Sequence, residues 1–236
     1  MNDVHIFVLK WSGENAWLDG DEERSALALG EADYARATAI RSASRRRQFL
    51  LGRQLLWLAL KRLYGNDEIK KWRLRQSEQG QPVLFYDATG HDLRTKVSVT
   101  HSGSYVGCAI AECACLGVDL EVHKPRDWGR LEDEVFSPDE QADLRSMPEA
   151  KRFRRAYELW SLKEAYLKAI GSGITDSMAE LNFSSQNELV AASNACFGDI
   201  DRWRFATPRI SADVSHAVAW YAESQGPSSP RIHRIR

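Results

Sequence analysis

A strand-like segment near the middle of the chain, residues 117–122, carries two carboxylates one residue apart in an otherwise apolar run. Because strand side chains alternate between two faces, Asp119 and Glu121 project together while the apolar residues around them face the core. Two like charges held this close repel each other unless a cation lies between them. Carboxylate oxygens suit Mg²⁺, which completes its octahedron with waters and substrate phosphates. The segment therefore predicts either a magnesium site or an edge strand with one solvated polar face.

A third carboxylate occurs in a helical segment, residues 151–170, that contains neither glycine nor proline. Its large apolar side chains recur at helical spacing and form one stripe: Phe153, Tyr157, Trp160 and Leu167. Glu164 lies within this stripe, and Lys168 follows one turn later at its edge. A surface Glu/Lys pair at this spacing is common on any helix, but a carboxylate that faces the core needs a partner. We therefore predict that Glu164 is a third metal ligand.

Other helices and strands alternate along the chain. A helix is predicted for residues 21–38, which begin acidic and end basic, and another for residues 45–64 with Ser44 as its N-cap. Short strands are predicted at residues 72–75 and 82–85, and a hairpin at residues 97–111. A further helix is predicted to begin at Ser137, with a capping box between Ser137 and Glu140. This mixture predicts a fold that contains both helices and strand meanders.

Three motifs in this chain, taken in order, resemble those of a known enzyme family. They are Val99-Thr100-His101-Ser102-Gly103, Gly117-Val118-Asp119-Leu120-Glu121, and Trp160-Ser161-Leu162-Lys163-Glu164 with Lys168. Each motif alone is weak, whereas the three in this order over residues 36–173 are specific. The chain thus resembles the Sfp-type 4′-phosphopantetheinyl transferases.

The resemblance implies an α+β fold in two similar halves related by a pseudo-twofold axis, with the cofactor site at their interface. We place the first half at residues 1–116. The second half, which carries the predicted metal ligands, is placed at residues 117–224. The tail, residues 225–236, begins rich in Pro and Ser and is predicted to be disordered.

The activity that the resemblance implies is transfer of the 4′-phosphopantetheine arm of coenzyme A to a serine of an apo acyl or peptidyl carrier protein. The other product is 3′,5′-ADP. Mg²⁺, with Mn²⁺ as a substitute, is expected to be held by Asp119, Glu121 and Glu164 and to neutralise the diphosphate. Lys168 is expected to donate to the leaving oxygen, and Glu164 is the nearest base for the serine hydroxyl. The carrier protein and its pathway are left open.

Four further residues are expected, by resemblance, to bind coenzyme A together with Asp119 and Lys168: Arg36, Arg53, Thr100 and His101. His101 would reach a phosphate with Thr100 beside it, and Arg36 suits a bidentate grip on the 3′-phosphate. The alternative for His101 is a histidine that simply ends a strand.

One departure from the family pattern concerns Gln81, which stands where many relatives carry lysine. A phosphate contact is therefore either absent or shifted to Arg75.

Composition is that of an ordinary globular protein and excludes several classes. The 236 residues are 43% hydrophobic and carry a net charge of −1, which gives no overall field for nucleic acid or membranes. The first ten residues lack the regions of a signal peptide, and no apolar run is long enough to span a bilayer. We therefore expect a cytoplasmic monomer.

Two other functions compete with the transferase: a Mg²⁺-dependent pyrophosphate-bond hydrolase, and a non-catalytic module that binds coenzyme A or a carrier protein.

Overall fold

The structure, a computed structural model, describes residues 3–11, 31–172, 178–191, 198–222 and 229–235. Within these ranges the strands are β1 (Asp3–Lys10), β2 (Trp72–Gln76), β3 (Pro82–Tyr86), β4 (Asp92–Ser102), β5 (Tyr105–Glu112), β6 (Leu116–Val122), β7 (Asn182–Phe183), β8 (Leu189–Ala191), β9 (Trp203–Ala206), β10 (Val214–Tyr221) and β11 (Ser229–Ile235). The α-helices are α1 (Glu31–Ala39), α2 (Ala43–Tyr64), α3 (Asn66–Ile69), α4 (Trp128–Val135), α5 (Pro138–Ser146) and α6 (Glu149–Ile170). The predicted mixed α+β class is confirmed.

The larger sheet has six strands in the order β11-β1-β5-β4-β3-β2. Its central hairpin, β4 and β5, pairs antiparallel from Thr95 opposite Glu112 to Ser102 opposite Tyr105. The apolar face of α2 packs against this sheet through buried side chains that include Leu51, Leu55, Leu56 and Leu60. The predicted hairpin at residues 97–111 is therefore confirmed, and its turn brings His101 to the end of β4.

The smaller sheet has three strands in the order β6-β10-β9 and packs against α6. Gly117 on β6 is the point of closest approach between strand and helix. A Cβ atom at this position would lie 1.9 Å from the carbonyl oxygen of Ala165 and 2.6 Å from the amide nitrogen of Ala169. Only glycine leaves room for this contact. The contact places the last turns of α6 directly over the two carboxylates of β6.

The two sheets are joined where β4 passes the outer edge of β6. Three hydroxyls at alternate positions of β4 each accept a hydrogen bond of 3.1 Å from an amide of β6: Ser98 from Val118, Thr100 from Leu120, and Ser102 from Val122. An edge strand leaves such amides unpaired, and burial without a partner would be costly. The hydroxyls therefore replace a missing neighbouring strand. The carboxylate strand is an edge strand of its sheet, but its edge is covered by β4.

Three predictions of local structure need correction or lie outside the described residues. The tail was expected to be disordered, whereas β11 forms a parallel strand beside β1, with Phe7 opposite His233. The alternating side chains of β11 and the edge of β1 favour strand pairing, although the residues just before β11 are rich in Pro and Ser. The N-cap of α2 is Ser42 rather than Ser44, because the Ser42 hydroxyl accepts from the amide of Arg45. Of the helix predicted at residues 21–38, residues 21–30 lie outside the described residues.

Within the described ranges, no helix combines the length and the apolar character needed to cross a membrane.

Candidate functional site

The three predicted carboxylates meet where α6 crosses β6. Asp119 and Glu164 are only 3% and 6% exposed, and Glu121 is half-buried at the end of the strand. Asp119 Oδ2 and Glu164 Oε1 are both buried and have no hydrogen-bond partner among the described residues. Buried carboxylate oxygens of this kind are rare without a compensating group. A cation bound beside these two oxygens would therefore stabilise the cluster.

The electrostatics of the cluster follow from burial and mutual repulsion. Burial, followed by the neighbouring charge of Asp119, raises the pKa of Glu164 to about 7. The pKa of Glu121 is raised for the same two reasons, and the Ser102 hydroxyl partly opposes this rise. Glu121 and Glu164 therefore ionise less readily because they are buried and Asp119 is near. A bound cation would reverse that effect.

Lys168 is the positive group that contacts the cluster. Its Nζ donates to Asp119 Oδ1 at 2.6 Å. Burial alone would lower the pKa of Lys168, but Asp119, Glu164 and Glu121 together hold it above its ordinary value. Lys168 therefore lies against the carboxylate cluster, and the lysine remains charged at neutral pH.

The donor set fits a hard divalent cation, although the side chains are not arranged as a finished coordination shell. As they stand, no three His, Cys, Asp or Glu side chains of the described ranges form a group that could hold a metal ion. Two orphaned carboxylate oxygens and a third acidic side chain are nevertheless the ligand type that Mg²⁺ and Mn²⁺ prefer. Metal binding by Asp119, Glu121 and Glu164 stays a prediction.

The hydroxyls of β4 support the carboxylates in a way that the sequence analysis missed. Thr100 Oγ1 donates to Asp119 Oδ1 at 3.4 Å, and Ser102 Oγ donates to Glu121 Oε2 at 2.9 Å. Thr100 was predicted to bind coenzyme A, which stays a prediction, and its buried hydroxyl accepts from the Leu120 amide of β6. The signal was the alternation of Ser98, Thr100 and Ser102 along one strand, which indicates a single polar face.

Arg126 is a second cation near the cluster that sequence reasoning did not identify. Its guanidinium stacks on three aromatic rings, with centroid distances of 4.7 Å to Trp160, 5.0 Å to Trp128 and 5.5 Å to Tyr157. Its charge opposes the rise in the pKa values of Glu121 and Glu164. Aromatic faces hold a guanidinium without using its N–H groups.

A cavity of about 240 Å³ opens beside Lys168 and collects most of the remaining predicted residues. Arg36, Arg53, His101 and Lys168 all contribute to its lining. The Arg36 and Arg53 guanidinium groups lie over the Phe49 ring, at 5.5 and 5.1 Å. Burial and the charge of Lys168 lower the pKa of His101. The cavity therefore has a basic wall next to the acidic cluster.

Two of the predicted basic residues have other partners. Arg53 is buried, and its Nε donates to Asp33 Oδ1 at 3.0 Å, so part of its charge is already balanced. Arg75 does not line the cavity and pairs with Asp92 at 2.7 Å. The idea that Arg75 replaces a missing lysine contact therefore has no support in this arrangement.

A larger surface depression of about 630 Å³ lies at the turn between β3 and β4. Its lining includes Lys71, Tyr86, Asp87 and His91 but none of the predicted site residues. We place the site at the smaller cavity, because that cavity combines concentrated charge with orphaned carboxylate oxygens nearby.

An acidic cluster beside a basic cavity suits a multiply charged phosphate substrate. Comparison with known proteins identifies the family. A sequence model described as the 4′-phosphopantetheinyl transferase superfamily matches residues 115–219. The chain is 30% identical over 148 residues to the 4′-phosphopantetheinyl transferase AcpT of Salmonella typhi, a match that covers 62% of this chain and 70% of AcpT. It is 28% identical to a phosphopantetheinyl transferase of Thraustochytrium, with 97% of this chain and 83% of that protein covered. The chain belongs to the 4′-phosphopantetheinyl transferase superfamily.

The extent of the match differs between relatives. A Synechocystis protein with 4′-phosphopantetheinyl transferase in its name is 31% identical over 130 residues, which is 52% of this chain and 52% of that protein. The chain thus spans about half the length of that relative. The family resemblance drawn from the three motifs is confirmed.

Proposed function

We propose that this protein transfers the 4′-phosphopantetheine arm of coenzyme A to a serine hydroxyl of an apo carrier protein. The observation that carries the proposal is the cavity lined by Arg36, Arg53, His101 and Lys168, which lies beside a buried carboxylate cluster at Lys168. A substrate with three phosphates requires positive charge along its length and a neutralising centre at the diphosphate. The family supplies the reaction class.

The cavity wall binds and orients the substrate. Arg36 is exposed and has only a ring contact with Phe49 among the described residues, so its guanidinium is free to grip a phosphate. His101, whose pKa is lowered, is largely neutral at pH 7 and donates one N–H to a phosphate oxygen. Arg53, already paired with Asp33, contributes mainly to the shape of the wall. These contacts form in the ground state and set the affinity for coenzyme A.

At the reacting diphosphate, the serine oxygen forms a bond to the phosphorus of the arm while the bond from that phosphorus to the ADP oxygen breaks. Asp119, Glu121 and Glu164 would hold Mg²⁺, which would supply charge neutralisation and Lewis acidity at the diphosphate. Lys168 donates a hydrogen bond to the departing oxygen of 3′,5′-ADP, where charge develops. Glu164 is the carboxylate that would take the proton of the serine hydroxyl.

The domain organisation belongs to the same proposal. The cavity is lined both by residues before position 116, such as Arg36 and His101, and by residues after it, such as Lys168 and Gly171. This supports a site between a half at residues 1–116 and a half at residues 117–224. The pseudo-twofold relation, monomeric state and cytoplasmic location that the sequence predicted are proposed with it.

Mass spectrometry of a carrier protein tests the proposal. The protein is incubated with coenzyme A, Mg²⁺ and a panel of apo acyl and peptidyl carrier proteins, and at least one carrier should gain the mass of the arm. A control carrier whose acceptor serine is replaced by alanine should gain nothing. Cleavage of coenzyme A without carrier modification would favour the hydrolase, and binding with neither reaction would favour the non-catalytic module. Failure to modify any carrier in the panel would overturn the transferase proposal.

A further inference from the structure

The side chain of Gln81 bridges two distant parts of the chain beside the cavity. It lies just before β3, and its Nε2 donates to the carbonyl oxygens of Lys168 at 2.7 Å and Ala169 at 3.1 Å. These carbonyls belong to the last turn of α6, where the helix itself supplies no partner for them. Gln81 therefore caps the C-terminal end of the helix that carries Lys168.

The backbone around Gln81 is held rigidly enough to make that cap specific. Ser77 donates its amide to the Gln81 carbonyl at 2.8 Å, and the Gln81 amide donates to Ser77 Oγ at 3.1 Å. Gly80 completes the turn with a positive φ of 84° and donates its amide to the Ser77 carbonyl at 2.9 Å. The carboxamide thus extends from a closed turn, so less conformational entropy is lost when it binds the helix end.

The end of α6 is shaped to receive this side chain. Gly171 adopts the left-handed conformation, with a φ of 77°, as the C-cap that follows the helix. A Cβ atom at this position would lie 2.8 Å from Gln81 Oε1. Glycine is therefore required both by its φ and by the approach of Gln81. The same helical turn carries the ammonium group that contacts Asp119 at 2.6 Å.

We propose that Gln81 is a positioning residue that fixes the last turn of α6 and so holds the Lys168 ammonium at the carboxylate cluster. Gln81 also lines the cavity, but both hydrogen bonds of its amide nitrogen go to helix carbonyls, which distinguishes this role from a direct contact with a phosphate. The kinetic part of this inference rests on the proposed transferase function. Its structural part concerns the helix end alone.

A double-mutant cycle with Lys168 tests the proposal. Gln81→Ala should lower kcat for carrier modification about tenfold and change KM for coenzyme A less than about twofold, because the loss falls on an interaction made in the transition state. In a Lys168→Ala background, the same substitution should change kcat less than about twofold. An equal loss in both backgrounds, or a rise in KM with kcat unchanged, would overturn the proposal and indicate a direct substrate contact.

Hydrogen exchange gives a readout that does not depend on activity. The amides of Gly171 and Ser172, which donate to the Leu167 carbonyl, should exchange at least about fivefold faster in Gln81→Ala and in Gln81→Glu, which cannot donate. Glu78→Ala, at an exposed position of the same turn, is the control and should match wild type in exchange and kcat. If wild type modifies no carrier, the proposed function fails while exchange still tests the cap. Unchanged exchange in both Gln81 variants would refute the cap itself.

Discussion

Lys163 gives the sharpest prediction about stability, because its ammonium group is completely buried. Its Nζ donates to the carbonyl oxygens of Val135 at 2.7 Å, Met178 at 2.9 Å and Leu181 at 2.7 Å. It also forms an ion pair of 2.5 Å with the buried carboxylate of Glu140. One cation thus joins the end of α4, the first turn of α5 and the segment before β7.

The expected loss on Lys163→Met follows from what the substitution leaves behind. Glu140 would stay buried without its cation, although it would still accept from the amides of Ser137 and Phe183, each at 2.9 Å. Removing one partner of a buried ion pair typically costs about 3–5 kcal/mol, and three buried carbonyls also lose their donor. We expect a loss of at least about 3 kcal/mol in the free energy of unfolding, a large share of the roughly 5–15 kcal/mol of an ordinary domain.

Urea unfolding at pH 7 measures this loss. Lys151→Met is the matched control, because Lys151 is exposed on the same helix, and its effect should stay within about 0.5 kcal/mol. The double variant Lys163→Met with Glu140→Gln should recover part of the loss, since the unpaired charge is gone. A loss below about 1 kcal/mol for Lys163→Met, with an unchanged dependence on urea, would refute the assignment of a structural role to this pair.

Three further predictions concern the acidic cluster and its neighbours. Asp119→Ala or Glu164→Ala should abolish metal-dependent transfer, and Glu164→Ala should leave the free energy of unfolding equal or higher, because its repulsion with Asp119 and Glu121 is relieved; calorimetric Mg²⁺ titration and urea unfolding check this. Lys168→Ala should lower kcat, whereas His101→Ala should raise KM for coenzyme A, each by about tenfold or more in steady-state assays. His216 has its pKa lowered to about 4 by burial, from 6.5, so the unfolded chain binds its proton more readily and stability falls as the pH drops from 6.5 towards 4. The free energy of unfolding of wild type relative to His216→Leu should fall by about 2 kcal/mol between pH 7 and pH 5.

Each of these predictions has an outcome that contradicts it. Wild-type Mg²⁺ affinity and turnover in Glu164→Ala would remove this residue from the metal site. A KM effect for Lys168→Ala together with a kcat effect for His101→Ala would mean that the two roles are exchanged. The pH measurement uses a difference between variants, because the raised pKa of Glu164 gives the opposite slope. A difference that stays constant with pH would exclude His216 as its source.

The elements that the sequence predicted well are those whose signals are local. Alternation placed Asp119 and Glu121 on one face of β6, and helical spacing placed Glu164 on the buried side of α6. The capping box between Ser137 and Glu140 is present with both of its hydrogen bonds. Patterns of this kind depend on neighbours within four residues, so the sequence contains all the information that they require.

What the sequence did not reveal depends on partners far along the chain. The pairing of β4 hydroxyls with β6 amides joins residues 20 positions apart, and Gln81 meets α6 across 87 positions. Lys163 lies inside the motif that suggested the family, yet its carbonyl partners come from two other segments, the end of α4 and the segment before β7. Residue type alone cannot tell a buried structural lysine from a catalytic one, because the difference lies in the desolvation and the acceptors that the fold supplies.

The two lysines of this motif show how the fold separates stability from chemistry. Lys163 is fully buried and all its donors meet fixed acceptors, so its charge stabilises one arrangement of the surrounding segments. Lys168 keeps a third of its side chain exposed at the cavity and faces carboxylates that retain orphaned oxygens. The burial and repulsion that raise the pKa of Glu164 to about 7 also destabilise the fold. The hydroxyls of β4 and the close contact at Gly117 keep the carboxylates in position despite this loss of stability. Such an unsatisfied site persists only where the surrounding packing overdetermines it, which is why we assign the chemistry to the Lys168 side of the helix.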